Sequence, residues 1–192
     1  MEDIEIFFDF LEKEFPEKLI YKEKFEIYYK KLKEENKRIN LVSKNDVNFI
    51  ARKHFLDSIL ISNFIEEEKI TDIGTGGGFP GVIISILNPH KYVYAIERNL
   101  KKAIFLKEIK IILNLKNIEI IREDIINMEE IKGDAFISKG ANYKKIIEIL
   151  KRKKIKGKNF YAILPLKENI ENTYIIKNPI LKKGFRILKI KI

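Results

Sequence analysis

Two carboxylates with a run of glycines between them are the residues of this chain best spaced for chemistry. Asp72 stands just ahead of Gly74, Gly76, Gly77, Gly78 and Gly81, so the segment Lys69–Gly81 holds five of the nine glycines. The residues leading into it, Lys69-Ile70-Thr71, read as a short buried strand, and the apolar run Val82-Ile83-Ile84-Ser85-Ile86-Leu87 after it reads as a packed helix. A strand that turns through glycines into a helix lets backbone approach a ligand with no Cβ in the way. It also aims the unpaired N–H groups of the helix start at that ligand. Pro80 near the first helical turn loses nothing, because the N–H it lacks would be unpaired there. Glu97 follows Gly74 by 23 residues and closes a second apolar strand, Tyr92-Val93-Tyr94-Ala95-Ile96. An acid at the tip of the neighbouring strand is placed to accept both hydroxyls of a ribose. The spacing predicts a nucleoside-cofactor site.

His54 and Asp57 fall one turn apart on an expected helix and share a face, placed to orient each other or to reach a substrate. A purely structural pair has the same spacing. Lys139 ends another expected strand beside the glycine turn. With no cysteine, the chain has no disulfide, no thiolate metal ligand and no thiol nucleophile, which rules out methylation of pyrimidine C5 through a cysteine adduct. With only His54 and His90 as imidazoles, no metal centre is expected. No apolar run approaches the roughly 20 residues of a membrane helix, and the acidic start Met1-Glu2-Asp3-Ile4-Glu5 does not resemble a signal peptide. The expected setting is cytoplasmic, without a membrane partner. The formal charge of +10 points to a polyanionic partner, with Lys151–Lys158 the densest basic run. Lysines spread over solvated faces of a Lys-, Ile- and Asn-rich chain would give the same charge.

The elements that must position these residues fall into two parts. Residues 1–68 are helical in pattern: Ile4, Phe7, Phe8 and Leu11 form one stripe, Pro16 interrupts, and Phe25, Tyr28, Tyr29 and Leu32 form the next, on a helix expected over Leu19–Glu35. Asn45 or Asp46 is placed to cap a third helix running to about Ile65. From 69 to 192 strands and helices alternate, with strands expected at 69–73, 92–96, 118–122, 134–138 and 159–164 and helices at 80–88, 100–113 and 142–153. Such alternation implies a mostly parallel α/β sheet covered on both faces. The alternating tail 185–191 reads as a last strand, antiparallel to 159–164. The helical extension and the sheet are expected to form one cooperative unit.

Gly76–Gly81 fits G-x-G-x-x-G, which leaves a nicotinamide or flavin oxidoreductase open. Read from Asp72, however, the segment is D-x-G-x-G-x-G and resembles the loop of class I methyltransferases, whose Rossmann-like sheet binds S-adenosylmethionine. A carboxylate inside the loop suits an α-ammonium and a sulfonium better than a pyrophosphate.

The resemblance narrows further. Asn40-Leu41, His54-Phe55-Leu56-Asp57-Ser58, Asp72–Gly81 with its Phe79-Pro80-Gly81 ending, Lys101-Lys102 with Phe105-Leu106, and Asp134 with Ser138-Lys139-Gly140-Ala141 occur in the order seen in the bacterial RsmG (GidB) family. Its members methylate N7 of one guanosine of 16S ribosomal RNA near the decoding centre. The resemblance implies S-adenosylmethionine as cofactor and 16S rRNA, free or in an assembling small subunit, as partner of a monomeric enzyme. It places Gly74, Gly76 and Phe79 around the methionine and ribose, Glu97 on the ribose, and Asp124, Ile125 and Ile126 beside the adenine. Lys139 stands at the cofactor site where the family has arginine, followed here by the inserted Gly140. Lysine keeps the charge and loses the planar two-pronged donor. Lys139, His54 and Asp57 are the candidates for the catalytic step. No NPPY-like signature for exocyclic amines follows the fourth strand, which suits N7 chemistry. The remaining readings are a methyltransferase acting on another RNA, a protein or a small molecule, and a non-catalytic ribosome-binding relative.

Overall fold

Parallel strands β1 (Lys69–Ile73), β2 (Tyr92–Ile96), β3 (Ile118–Ile121), β4 (Ala135–Lys139) and β5 (Asn159–Pro165) lie where the sequence places them, in a computed structural model that describes residues 1–167 and 170–192. They join β6 (Thr173–Asn178) and β7 (Lys183–Lys191) in one sheet of order β3-β2-β1-β4-β5-β7-β6. β7 runs antiparallel to β5, pairing Ala162 with Leu188, as the alternating tail predicts. β6 was not expected. It is an edge strand with three of its six residues exposed, on both faces, and only the polar Asn178 buried, so no hydrophobic alternation marks it. The strand order reverses between β1 and β4, and ligands of such sheets bind outside the strand ends at that reversal. The architecture is the α/β class I methyltransferase type.

One face of the sheet is covered by α1 (Asp3–Glu14), α2 (Lys22–Glu35), α3 (Leu56–Ser62), α4 (Gly81–Leu87) and α5 (Leu100–Ile112), and the other by α6 (Tyr143–Arg152). The N-terminal helices share the core of the first face. Phe55 is their hub: its ring stacks on Tyr28 at 5.4 Å and 11°, and lies 5.8 Å from Phe7, 5.6 Å from Phe25 and 6.0 Å from Phe79 of the glycine segment. Phe25, Tyr28 and Tyr29 are therefore core, not a base-stacking surface.

Two helical expectations are corrected here. The helix expected from Leu19 begins at Lys22, because Pro16–Tyr21 forms a 3₁₀ turn with no fully buried residue. The third helix is not capped by Asn45 or Asp46. A 3₁₀ turn (Val47–Phe49) leads into a π-helical segment (Ile50–Phe55) and only then α3, which stops at Ser62. Free N–H groups at the start of this segment are taken by Asp3 of α1, whose carboxylate accepts from Ala51 N at 2.7 Å and Arg52 N at 3.4 Å, and also from the Arg52 side chain, Nε, at 2.7 Å.

The glycine turn is held from beneath. Asp72 Oδ2 accepts from Thr75 Oγ1 at 2.6 Å and from Gly81 N at 2.8 Å, tying the end of β1 to the start of α4. A Cβ on Gly81 would lie 2.7 Å from that oxygen, so only glycine lets helix and carboxylate meet. From the other side the Tyr28 hydroxyl donates to Gly77 O. Gly74 and Gly76 take φ of 74° and 60°, the left-handed region glycine enters without strain. Asp72 thus does not face a ligand's ammonium as the sequence argument had it. It is fully buried under the loop.

Burial pushes the Asp72 carboxyl up to about 6, against the opposing pull of its bonds from Thr75 and Gly81. A carboxyl raised above its ordinary value of 3.8 favours the fold most below pH 3.8, and that contribution is lost as the pH rises through about 6. Asp72→Asn keeps an acceptor for both donors and removes the charge. Its thermal midpoint, compared with wild type, should move in the variant's favour as pH rises over that range; a difference that does not vary with pH would contradict the assignment. Phe55→Ala should cost about 3–5 kcal/mol in urea unfolding, the range for deleting a fully buried aromatic, and a loss below about 1 kcal/mol would show that the helices are not packed through this ring.

Candidate functional site

Where β1 and β4 end, a cavity of about 600 Å³ opens between the glycine turn, the 45–57 segment and the β6–β7 hairpin. Gly74, Gly76, Phe79, His54, Asp57 and Lys139 all line it. These six predicted residues are thus brought together from three separate stretches of chain. Glu97, Asp124, Ile125 and Ile126 do not line this cavity.

Lys139 is the cation of its inner wall. Its Nζ lies 3.5 Å from Asp57 Oδ2, and although 17% of the side chain is exposed, the ammonium itself is sealed from solvent. Burial pushes this ammonium below its ordinary value of 10.5, and Asp57 opposes the shift. Asp57 is fixed in turn by Asn178 of β6, whose Nδ2 donates to Asp57 Oδ1 at 2.9 Å and to Arg52 O at 2.7 Å. Next to them His54 stacks on Phe79, centroids 5.0 Å apart and planes 22° from parallel. Its Nε2 lies 3.5 Å from Asp46 Oδ2. Burial lowers the His54 pKa, which Asp46 counters and Lys139 and Lys53 reinforce, so the ring is neutral at pH 7. Asp46 also holds Lys53 Nζ at 2.6 Å. The expected His54–Asp57 partnership is therefore corrected: each is paired elsewhere, His54 with Asp46 and Asp57 with Lys139, because the π-helical segment and α3 turn them toward different neighbours.

Five buried side-chain atoms lack hydrogen-bond partners among the described residues: His54 Nδ1 and Nε2, Asp72 Oδ1, Ser138 Oγ and Lys139 Nζ. All belong to the cavity wall or to the strand ends beneath it. An unpaired buried polar group costs about 1–3 kcal/mol, so their concentration in one place marks a site that something else completes.

Glu97 adjoins the cavity through the loop. It is only 7% exposed, although it stands at a strand end. Its Oε2 accepts from Gly76 N at 2.9 Å and its Oε1 from Asn99 N at 2.7 Å, so each oxygen keeps a free lone pair. Asp124 lies farther along the sheet edge, 3.3 Å from Arg98 Nη1 and accepting from Ile126 N at 3.2 Å. Ile125 is buried in the second core, whereas Ile126 is 51% exposed. The pair divides between packing and an open apolar wall. In the basic run, Lys153 Nζ donates to Ile126 O and Met128 O, and Lys158 Nζ to Gly133 O. Those two cations tie loops together.

Sequence reasoning missed Asp46, Phe49, Lys53, Asn178 and Lys183, which also line the cavity. Asp46 was visible only as a possible helix cap, and nothing local marks Asn178, which acts on Asp57 across 121 residues. Among the described residues no group of three acidic, His or Cys side chains could hold a metal ion, and no helix is long and apolar enough to cross a membrane.

A protein of Mycoplasma capricolum named ribosomal RNA small subunit methyltransferase G is 35% identical over 174 residues, 88% of this chain and 75% of its own length. A protein of the same name from Rickettsia felis is 36% identical over 187 residues, 92% of this chain and 95% of its own. Among solved structures, a SAM-dependent methyltransferase from Aquifex aeolicus superposes with a TM-score of 0.56 at 18% identity, over 73% of this chain and 93% of that one, a likeness of fold. The GidB family, described as rRNA small subunit methyltransferase G, matches residues 21–184. The chain belongs to that family.

Proposed function

We propose that this protein transfers a methyl group from S-adenosylmethionine to N7 of a guanine in small-subunit ribosomal RNA. The observation that carries the reading is one cavity lined both by the open glycine turn, Gly74–Gly77, and by the Lys139–Asp57 pair at the tip of β4. Bound there, S-adenosylmethionine supplies an electrophilic methyl on a sulfonium. The residues present fit it. The loop offers backbone with no Cβ at Gly74 and Gly76, Glu97 offers free carboxylate lone pairs for ribose hydroxyls, and exposed Ile126 with Asp124 offers an apolar wall and an acceptor for adenine.

Guanine N7 carries an in-plane lone pair and no proton, so its attack needs no base. That agrees with a site whose imidazole is neutral and whose cation is held by Asp57. The chain's work is then to hold the two reactants in line, an effect worth up to roughly 7–11 kcal/mol. Lys139 and His54 line the same cavity as the glycine turn, where they can fix the acceptor base. The Lys139 ammonium is kept beside, not against, a developing positive purine by its pairing with Asp57.

The direct test incubates the protein with labelled S-adenosylmethionine and small-subunit RNA lacking native methyl groups, then cleaves the RNA chemically at N7-methylguanosine. One labelled break is expected. Label at another atom or in another molecule would overturn the N7 reading, and binding without transfer would favour a non-catalytic relative. For the cofactor, Glu97→Gln should weaken S-adenosylhomocysteine binding by roughly 10- to 100-fold in calorimetry, the scale of a hydrogen bond to a charged group. Gly74→Trp, which also forces a φ of 74° on a bulky residue, should abolish it. Unchanged affinity in both variants would rule out the pocket.

A further inference from the structure

Beyond the glycine turn, the same cavity widens toward Phe49, Pro165, Leu166 and Lys183, none of which the cofactor reading uses. Phe49 is 37% exposed and Leu166 is 40% exposed, large apolar groups left open at the mouth of a polar site. The Phe49 ring is not loose. The Arg52 guanidinium carbon sits 5.1 Å from its centroid, and Arg52 Nε is locked onto Asp3 Oδ1 at 2.7 Å. An exposed aromatic face held this way is a stacking platform in waiting. Deeper in, His54 Nδ1 has no partner among the described residues, while His54 Nε2 and Lys139 Nζ each meet only a carboxylate oxygen at 3.5 Å, too far for a hydrogen bond. At the rim, Lys183 is exposed and has no ion-pair partner among the described residues, whereas Lys53 is occupied by Asp46. Apolar walls, polar groups within and an exposed cation at the lip match one chemical object, a single nucleotide, with its flat apolar base faces, polar base edges and sugar phosphate.

We infer that this half of the cavity receives the RNA nucleotide to be methylated, with its base turned out of the stack onto Phe49 and its phosphate against Lys183. The inference rests on the methyl-transfer reading above and adds where the acceptor sits. Enzymes that act on a base inside a structured nucleic acid have to extrude it, and an aromatic partner offsets the lost stacking. Continuity with the glycine turn puts such a base next to the methyl donor without rearranging the sheet. His54 Nδ1, the ring nitrogen not turned to Asp46, is left for a polar edge of the base.

Two measurements test it. In steady-state methylation of small-subunit RNA, Phe49→Ala should raise the KM for RNA about tenfold, the lower part of the range for one base–aromatic stack. S-adenosylhomocysteine affinity should stay unchanged, and Phe49→Trp should restore the RNA KM; that rescue separates stacking from a structural effect of the alanine. In parallel, RNA transcribed with 6-thioguanosine and irradiated on the full-length protein should cross-link to peptides from 45–57 or 163–185. An unchanged RNA KM in Phe49→Ala, or cross-links confined to the basic face of α6, overturns the assignment. Cross-links in this pocket together with methyl transfer to an atom other than N7 would overturn the proposed chemistry and leave the pocket supported.

Discussion

A single buried carboxylate sets the shape on which the rest of the site depends. Asp72 Oδ2 joins the last turn of β1, through Thr75, to the first N–H of α4, through Gly81. The arrangement is costly, since burial raises the carboxyl's pKa to about 6 and its second oxygen has no partner. Two charge-assisted bonds offset part of that cost, and in return Gly74 and Gly76 are held in left-handed conformations with nothing but backbone toward the cavity. Tyr28 braces the opposite side through Gly77 O, so the N-terminal helices are part of the loop's mould.

The same economy of contacts governs the far wall. Lys139, Asp57 and Asn178 form a chain from β4 through α3 to β6, and Asn178 also closes on Arg52 O. Arg52 in turn holds Phe49 and is held by Asp3 of α1. The helical extension, the sheet end and the β6–β7 hairpin thereby meet at one cavity. Where the family resemblance has arginine after the fourth strand, Lys139 brings a single ammonium, and Asp57 meets it at one oxygen; a two-pronged donor is not required by this geometry.

What the sequence displayed was what local periodicity and glycine spacing encode. The parallel strands, α4, α5 and α6 each bury one stripe or both faces, and their boundaries fall within a few residues of expectation. The glycine turn and Glu97 were legible because strand, turn and acid have to keep a fixed spacing. Partnerships between distant residues were not legible. Asp3 acts on Ala51 across 48 positions, and Asn178 acts on Asp57 across 121. His54 and Asp57 looked like a pair because helix spacing put them together, but the 3₁₀ and π turns before α3 gave them separate partners. β6 escaped notice because an edge strand exposed on both faces carries no hydrophobic rhythm. Phe49 read as one more apolar residue; only its half-exposed position at the cavity mouth distinguishes it.

The central claim is that the clamped turn and Glu97 together make a receptacle for a sulfonium nucleoside. The most direct measurement is a crystal structure of the protein soaked in S-adenosylhomocysteine. Ligand density is expected over Gly74–Gly77, with both ribose hydroxyls on the Glu97 carboxylate and Asp72 still bonded to Thr75 and Gly81 beneath. Density elsewhere, or a turn that has to release Asp72 before the ligand can enter, would contradict it.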